Sequence, residues 1–229
     1  MSTFVTLTNK VLTRLNEVPL DTQGDGFDSV RGVQALVKTS VNNAIRTILQ
    51  EAQEWPFLKT LTTQELTSGT QVYNYPSDYS SVDTGSFYLK KDDTLGNEPM
   101  KLKVITYEEY LDKYREIDDN GKTGSPEVIY QTYEGSFGVS PVPDAAYTIE
   151  YIYWAYPNDL ELYNDSCIIP TRFDHVIVDG AMVYLMMFRS NEQSAQIHKA
   201  AFDNGIKMMR RVLMDDMDTL RSTVIYGRG

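Results

Sequence analysis

The stretch SPEVIYQTYEGSFGVSPVPDAAYTIEYIYWAYP, Ser125 to Pro157, decides the fold class of this chain. Val128, Tyr130 and Thr132 alternate with Ile129, Gln131 and Tyr133, and Glu134-Gly135-Ser136 interrupts the alternation before Phe137 and Val139 resume it. That pattern predicts a hairpin, because strand side chains repeat every second residue and the glycine supplies a tight turn. Pro141, Pro143 and Asp144 predict the next turn. Tyr147 to Tyr156 is then an almost unbroken β-branched and aromatic run, as in a central strand covered on both faces. The expectation is one meander of three antiparallel strands.

Helices flank this core. Phe4, Leu7, Val11, Leu12 and Leu15 share one helical face, with Ser2 or Thr3 as cap and Pro19 as stop. The polar segment Asp21 to Ser29 reads as a loop that lacks the spaced ligands and terminal glutamate of a calcium loop. A second helix is predicted from about Val30 to Glu54 on the stripe Val33, Val37, Val41, Ala44, Ile45, Ile48, Leu49 and Ala52, ended by Trp55-Pro56. From Phe57 the period changes to two. Leu58, Thr60, Thr62 and Gln64 alternate with Lys59, Leu61 and Thr63, and together with Thr70 to Pro76 they predict a second hairpin.

Gly85 to Lys90 and Lys101 to Ile105 read as short strands, and Thr106 with Glu109 forms a capping box for a short helix. Asp118 to Ser125 reads as a mobile loop; its Gly121-Lys122-Thr123 lacks the spacing and the preceding strand of a phosphate loop. Thr171 is the expected cap of a third helix reaching about Arg189, apolar nearly all round, in which Gly180-Ala181 lets another helix approach closely. A fourth runs from Glu192 to Leu220 with Ala195, His198, Phe202, Ile206, Met209, Leu213 and Leu220 on its apolar side, completing an αα-hairpin. The architecture expected is α+β: a helical bundle of four long helices from residues 1–56 and 158–222, an inserted antiparallel β domain at 57–157, and an extended tail at 223–229.

With Lys+Arg 21 against Asp+Glu 32, the net charge is -11, which argues against a direct grip on nucleic-acid phosphates. It permits a wall that repels DNA and lets it slide. Cys167 is the single cysteine, so no intramolecular disulfide is possible and a reducing compartment is expected. No apolar run is long enough to span a bilayer and the first residues lack a signal-peptide layout, so a cytoplasmic site of synthesis and no membrane are expected. The 16 tyrosines suit subunit interfaces, and equally suit strands.

A catalytic constellation is not legible. His175 and His198, the two histidines, fall in no zinc motif. Asp179, in an apolar helix, needs a partner, and Arg14, Arg46 and Arg210 are the candidates. No Gly-x-Ser-x-Gly elbow is present, Cys167 has no adjacent histidine or base, and the pairs Glu108-Glu109 and Asp215-Asp216 are placed in no recognisable cleft. No catalytic, cofactor or metal site is therefore assigned, and the roles of Asp179, His175 and His198 stay open.

Pro126, Tyr130, Gly135, Phe137, Val139, Pro141, Pro143, Asp144, Tyr151, Tyr153, Pro157, Leu160, Ile169 and Pro170, followed by the apolar helix, resemble the head-to-tail adaptor (connector) proteins of tailed bacteriophages, the group that includes tail tubular protein A. The resemblance implies a non-enzymatic virion protein of the neck, assembled in the host cytoplasm. It implies a dodecameric ring beneath the portal protein, joining capsid to tail, contacting a downstream tail or nozzle protein, and conducting DNA without binding it specifically. Two alternatives remain: a phage neck or tail protein with peptidoglycan hydrolase activity, and a carbohydrate-binding β module. Beyond Arg221 the sequence turns β-branched and glycine-rich, so Leu220, Arg221, Val224, Ile225, Tyr226 and Arg228 are expected to form an apolar tail, flanked by arginines, that docks on the portal.

Overall fold

The computed structural model describes residues 1–20, 27, 29–52, 54–92, 96, 98–132 and 135–219. Its contacts divide the chain into two units, Met1–Phe57 with Pro157–Gly229, and Leu58–Tyr156. The helices are α1 (Phe4–Arg14), α2 (Val33–Glu51), α3 (Tyr107–Lys113), α4 (Arg115–Asp119), α5 (Asp174–Phe188) and α6 (Glu192–Thr219). The strands are β1 (Lys59–Glu65), β2 (Val72–Asn74), β3 (Tyr79–Val82), β4 (Tyr88–Leu89), β5 (Met100–Lys101), β6 (Lys103–Ile105), β7 (Val128–Gln131), β8 (Ser136–Ser140) and β9 (Thr148–Ala155).

The expected bundle of four long helices is overturned. α1 has 11 residues and α5 has 15, against 19 in α2 and 28 in α6, and α3 and α4 lie outside the helical unit altogether. The β part is not purely antiparallel either, because β6 pairs with β7 in parallel. The mixed α+β class is consistent with what forms: helices together with nine described strands in two sheets.

In the helical unit, Thr3 caps α1 by accepting from the Thr6 N–H at 3.4 Å. The first residue of α1 and the segment before it are pinned by backbone bonds, Phe4 N–H to Asp165 O at 2.8 Å and Cys167 N–H to Ser2 O at 2.9 Å. α5 lies at the centre, with ten of its residues buried, and packs on α1, α2 and α6. Gly180 is what lets these helices close: a Cβ there would stand 2.6 Å from Phe202 Cε2 and 2.9 Å from Ala44 Cβ. Thr171 does not cap α5. It opens a short 3-10 turn, Thr171–Phe173, and α5 starts at Asp174 without a side-chain cap bond. Asn191 caps α6, accepting from the Ser194 N–H at 3.1 Å.

In the other unit the strands form two sheets. One has the order β1-β9-β4-β5 with β3 also on β9; the other has the order β2-β8-β7-β6. The predicted hairpin of Val128 to Val139 forms, with Val128 opposite Ser140 and Gln131 opposite Phe137. The three-stranded meander does not. β9 leaves that hairpin for the other sheet, where it pairs with β1, β3 and β4. The second predicted hairpin fails in the same way, since β1 joins β9 while β2 joins β8.

The physical reason is the core. Phe137 on β8 and Tyr151 on β9 are both fully buried, and pairing edge to edge would leave that apolar face wet, whereas facing sheets bury both rings. The two rings sit 5.7 Å apart, with Phe87 and Tyr75 beside them. Leu102, 1% exposed, is the point where the chain crosses from β5 in one sheet to β6 in the other. A smaller cluster joins α3 to the second sheet through Tyr110 and Tyr130, stacked at 3.8 Å.

Candidate functional site

The charged residues inside the helical unit follow from where α1 must lie. α1 presents Lys10 and Arg14 one turn apart, and α5 presents Asp174 and Asp179 towards them. Lys10 Nζ and Ser2 Oγ each stand 2.5 Å from Asp174 Oδ2. Arg14 Nη1 lies 2.6 Å from Asp179 Oδ1, and His198 Nδ1 on α6 lies 3.4 Å from the same oxygen. Of the three candidate arginines, Arg14 is thus the partner of Asp179; Arg46 pairs with Asp159, and Arg210 with Glu51. His175 is exposed. The arrangement locks three helices together and leaves Asp174 Oδ1 buried without a partner.

The other candidate groups are tied down as well. Burial pushes the Cys167 thiol up to about 11, so it is a packed side chain with little thiolate. Glu109 is held below the usual carboxylate range by hydrogen bonds from Lys103 Nζ at 3.0 Å and Lys113 Nζ at 3.1 Å. Thr106 Oγ1 accepts from the Glu109 N–H at 3.2 Å, as the capping-box spacing predicts. The expected mobile loop begins instead in α4, where the Asp118 carboxylate accepts from Gln71 Nε2 at 2.7 Å and Ser140 Oγ at 3.1 Å. The Asp215 and Asp216 side chains lie outside the described ones. Among the described residues no group of three or more His, Cys, Asp or Glu is placed to hold a metal ion, and no helix is long and apolar enough to cross a membrane.

What the two units offer is surface. On the sheet carrying β1, an open groove of about 380 Å³ is lined by Leu61, Asp83, Ser86, Tyr88, Glu150 and Ile152. Leu61 is 65% exposed at its rim. On the helical unit, Val18, Met187, Phe188, Ile197, Met208 and Val212 are exposed. Large apolar side chains held in water on a folded unit mark docking surfaces when they cluster. The sequence did not reveal Leu61, because the opposite face of β1 carries the exposed Thr60 and the half-buried Thr62 and Gln64, and the alternation reads the same from either side. A hydrogen bond from Tyr151 OH to Gln64 Oε1 at 3.0 Å gives the half-buried Gln64 a partner.

The tail residues expected to dock, Leu220, Arg221, Val224, Ile225, Tyr226 and Arg228, lie outside the described residues. A family model described as SU10 adaptor protein matches residues 2–225, nearly the whole chain. None of the curated proteins matches it.

Proposed function

We propose, on the premise that the chain belongs to the SU10 adaptor protein family and is thus a phage adaptor protein, that it is a structural head-to-tail adaptor of the tail tubular protein A kind. Copies of it form a ring, of twelve if the number follows the portal, that seats under the portal, meets the first tail protein below, and leaves a channel for DNA. The family match over residues 2–225 carries this reading. Three properties support it. The charge of -11 suits a channel wall that DNA slides past, because there is no counterion release to hold it. The exposed apolar residues of both units suit subunit contacts. Asp174 and Asp179 are engaged in ion pairs between helices, and the Cys167 thiol is buried.

The deciding experiment mixes the purified protein with portal rings and images the product by negative-stain electron microscopy. A ring of added density on one face of the portal is expected. Failure to bind the portal overturns the proposal, and so does tight retention of duplex DNA by the free protein at low salt.

A further inference from the structure

We propose that β1 is a self-complementary edge that pairs, antiparallel, with β1 of a second copy. Among the described residues β1 pairs with β9 alone. Leu66 N–H donates to Tyr147 O at 2.7 Å just past Glu65, which lies opposite Thr148. Because hydrogen-bonded and non-bonded pairs alternate along an antiparallel ladder, Thr60, Thr62 and Gln64 direct their backbone groups to β9. Lys59, Leu61, Thr63 and Glu65 therefore turn their N–H and C=O groups outward. All four are exposed, and no described residue of the chain supplies a second strand to them. A seven-residue edge with an exposed leucine near its centre is a ready template for another strand.

Charge complementarity selects the occupant. With Thr62 on a two-fold axis, Lys59 falls opposite Glu65 of the second copy and Leu61 opposite Thr63, so that every outward residue of one strand meets an outward residue of the other. Moving the axis to Leu61 or Thr63 keeps the backbone parity but separates the lysine from the glutamate and leaves outward groups unpaired. The four side chains stand on one face of the sheet, so both Lys–Glu pairs flank a centre of two Leu61–Thr63 pairs, in which the two leucines lie diagonal to each other. Lys59 Nζ, 3.9 Å from Asp83 Oδ2 and 5.7 Å from the Trp154 ring centroid, is already held over that face. Such a contact is isologous and closes at two copies, leaving no β1 edge open to further chains. It goes beyond the adaptor reading and does not depend on it: the portal experiment reports on rings, this one on the free chain.

The test measures the mass of the free full-length protein by light scattering and sedimentation. A dimer is expected. Leu61→Pro removes an outward N–H while sparing the β9 ladder, and is expected to give a monomer with an unchanged circular dichroism spectrum. Lys59→Glu and Glu65→Lys, each alone, are expected to weaken the dimer by about tenfold. Mixing these two single variants, or combining both changes in one chain, is expected to restore it. A wild type that stays monomeric at millimolar concentration overturns the proposal, as does a dimer in which the two single variants fail to complement each other. Those charge variants keep the test decisive if Leu61→Pro fails to fold.

Discussion

Arg14 Nη1 stands 2.6 Å from Asp179 Oδ1, and His198 Nδ1 stands 3.4 Å from the same oxygen, so one carboxylate ties α1, α5 and α6 together. Asp179 is buried in the middle of α5, whereas the Arg14 side chain is 45% exposed. Removing the arginine strands a buried charge; removing the aspartate leaves an arginine that water can reach. Arg14→Ala is therefore expected to cost about 2 kcal/mol after allowing for solvent screening, and Asp179→Leu less. Urea denaturation midpoints of the two variants check this order, which a mere count of lost contacts would reverse, since Arg14→Ala loses one and Asp179→Leu loses two.

Gly138 faces the ring of Tyr130 across the β7–β8 hairpin, and a Cβ there would come within 2.0 Å of Tyr130 Cζ. The ring is fixed by its stack on Tyr110 and is only 3% exposed, so it has no free direction in which to move. Gly138→Ala is expected to destabilise by about 2–3 kcal/mol through overpacking. Loss of the near-ultraviolet tyrosine signal at unchanged far-ultraviolet signal is the check.

Burial first, and neighbouring phenols second, hold the hydroxyls of Tyr75, Tyr130 and Tyr151 protonated above their ordinary value of 10.0. The folded state thus binds these protons more tightly than the unfolded chain does. Stability is expected to be independent of these groups below pH 10 and to fall as pH rises above it, where the unfolded phenols ionise first. Absorbance at the phenolate band should then rise in two stages, exposed tyrosines first and the buried set only on unfolding. A single stage near pH 10 with the fold intact contradicts the argument.

The tail proposal is tested by deletion. Removing residues 223–229 is expected to leave the melting temperature within about 2 °C of the full chain if the tail serves docking and not the chain's own core. The same deletion is expected to abolish assembly on portal rings. A large drop in melting temperature, or normal assembly, removes the tail from the docking proposal.

The sequence by itself determined what depends on near neighbours. Apolar spacing located α1, α2, α5 and α6, because a helix closes its hydrogen bonds within four residues. The Thr106-Glu109 spacing located the start of α3, and the glycine at 135 located the β7–β8 turn. The aromatic run from Tyr147 to Tyr156 located β9 as a central strand. Even Asp179 declared its need for a cation, since a carboxylate in an apolar helix is costly alone.

Only the tertiary structure decided what those segments join. β8 and β9 are separated by one short turn, yet lie in different sheets, because Phe137 and Tyr151 are buried together only when their strands face each other across the core. Nothing local distinguishes that outcome from a meander, as the alternation is identical in both. Arg14 rather than Arg46 or Arg210 reaches Asp179 because α1 packs along α5. The edge of β1 that no described residue pairs with, with Lys59 and Glu65 at its ends, lies opposite the side that β9 covers. Strand pairing is bought with contacts distant in sequence, so its partners are set by which arrangement buries the shared core, and that sum is taken over the whole fold.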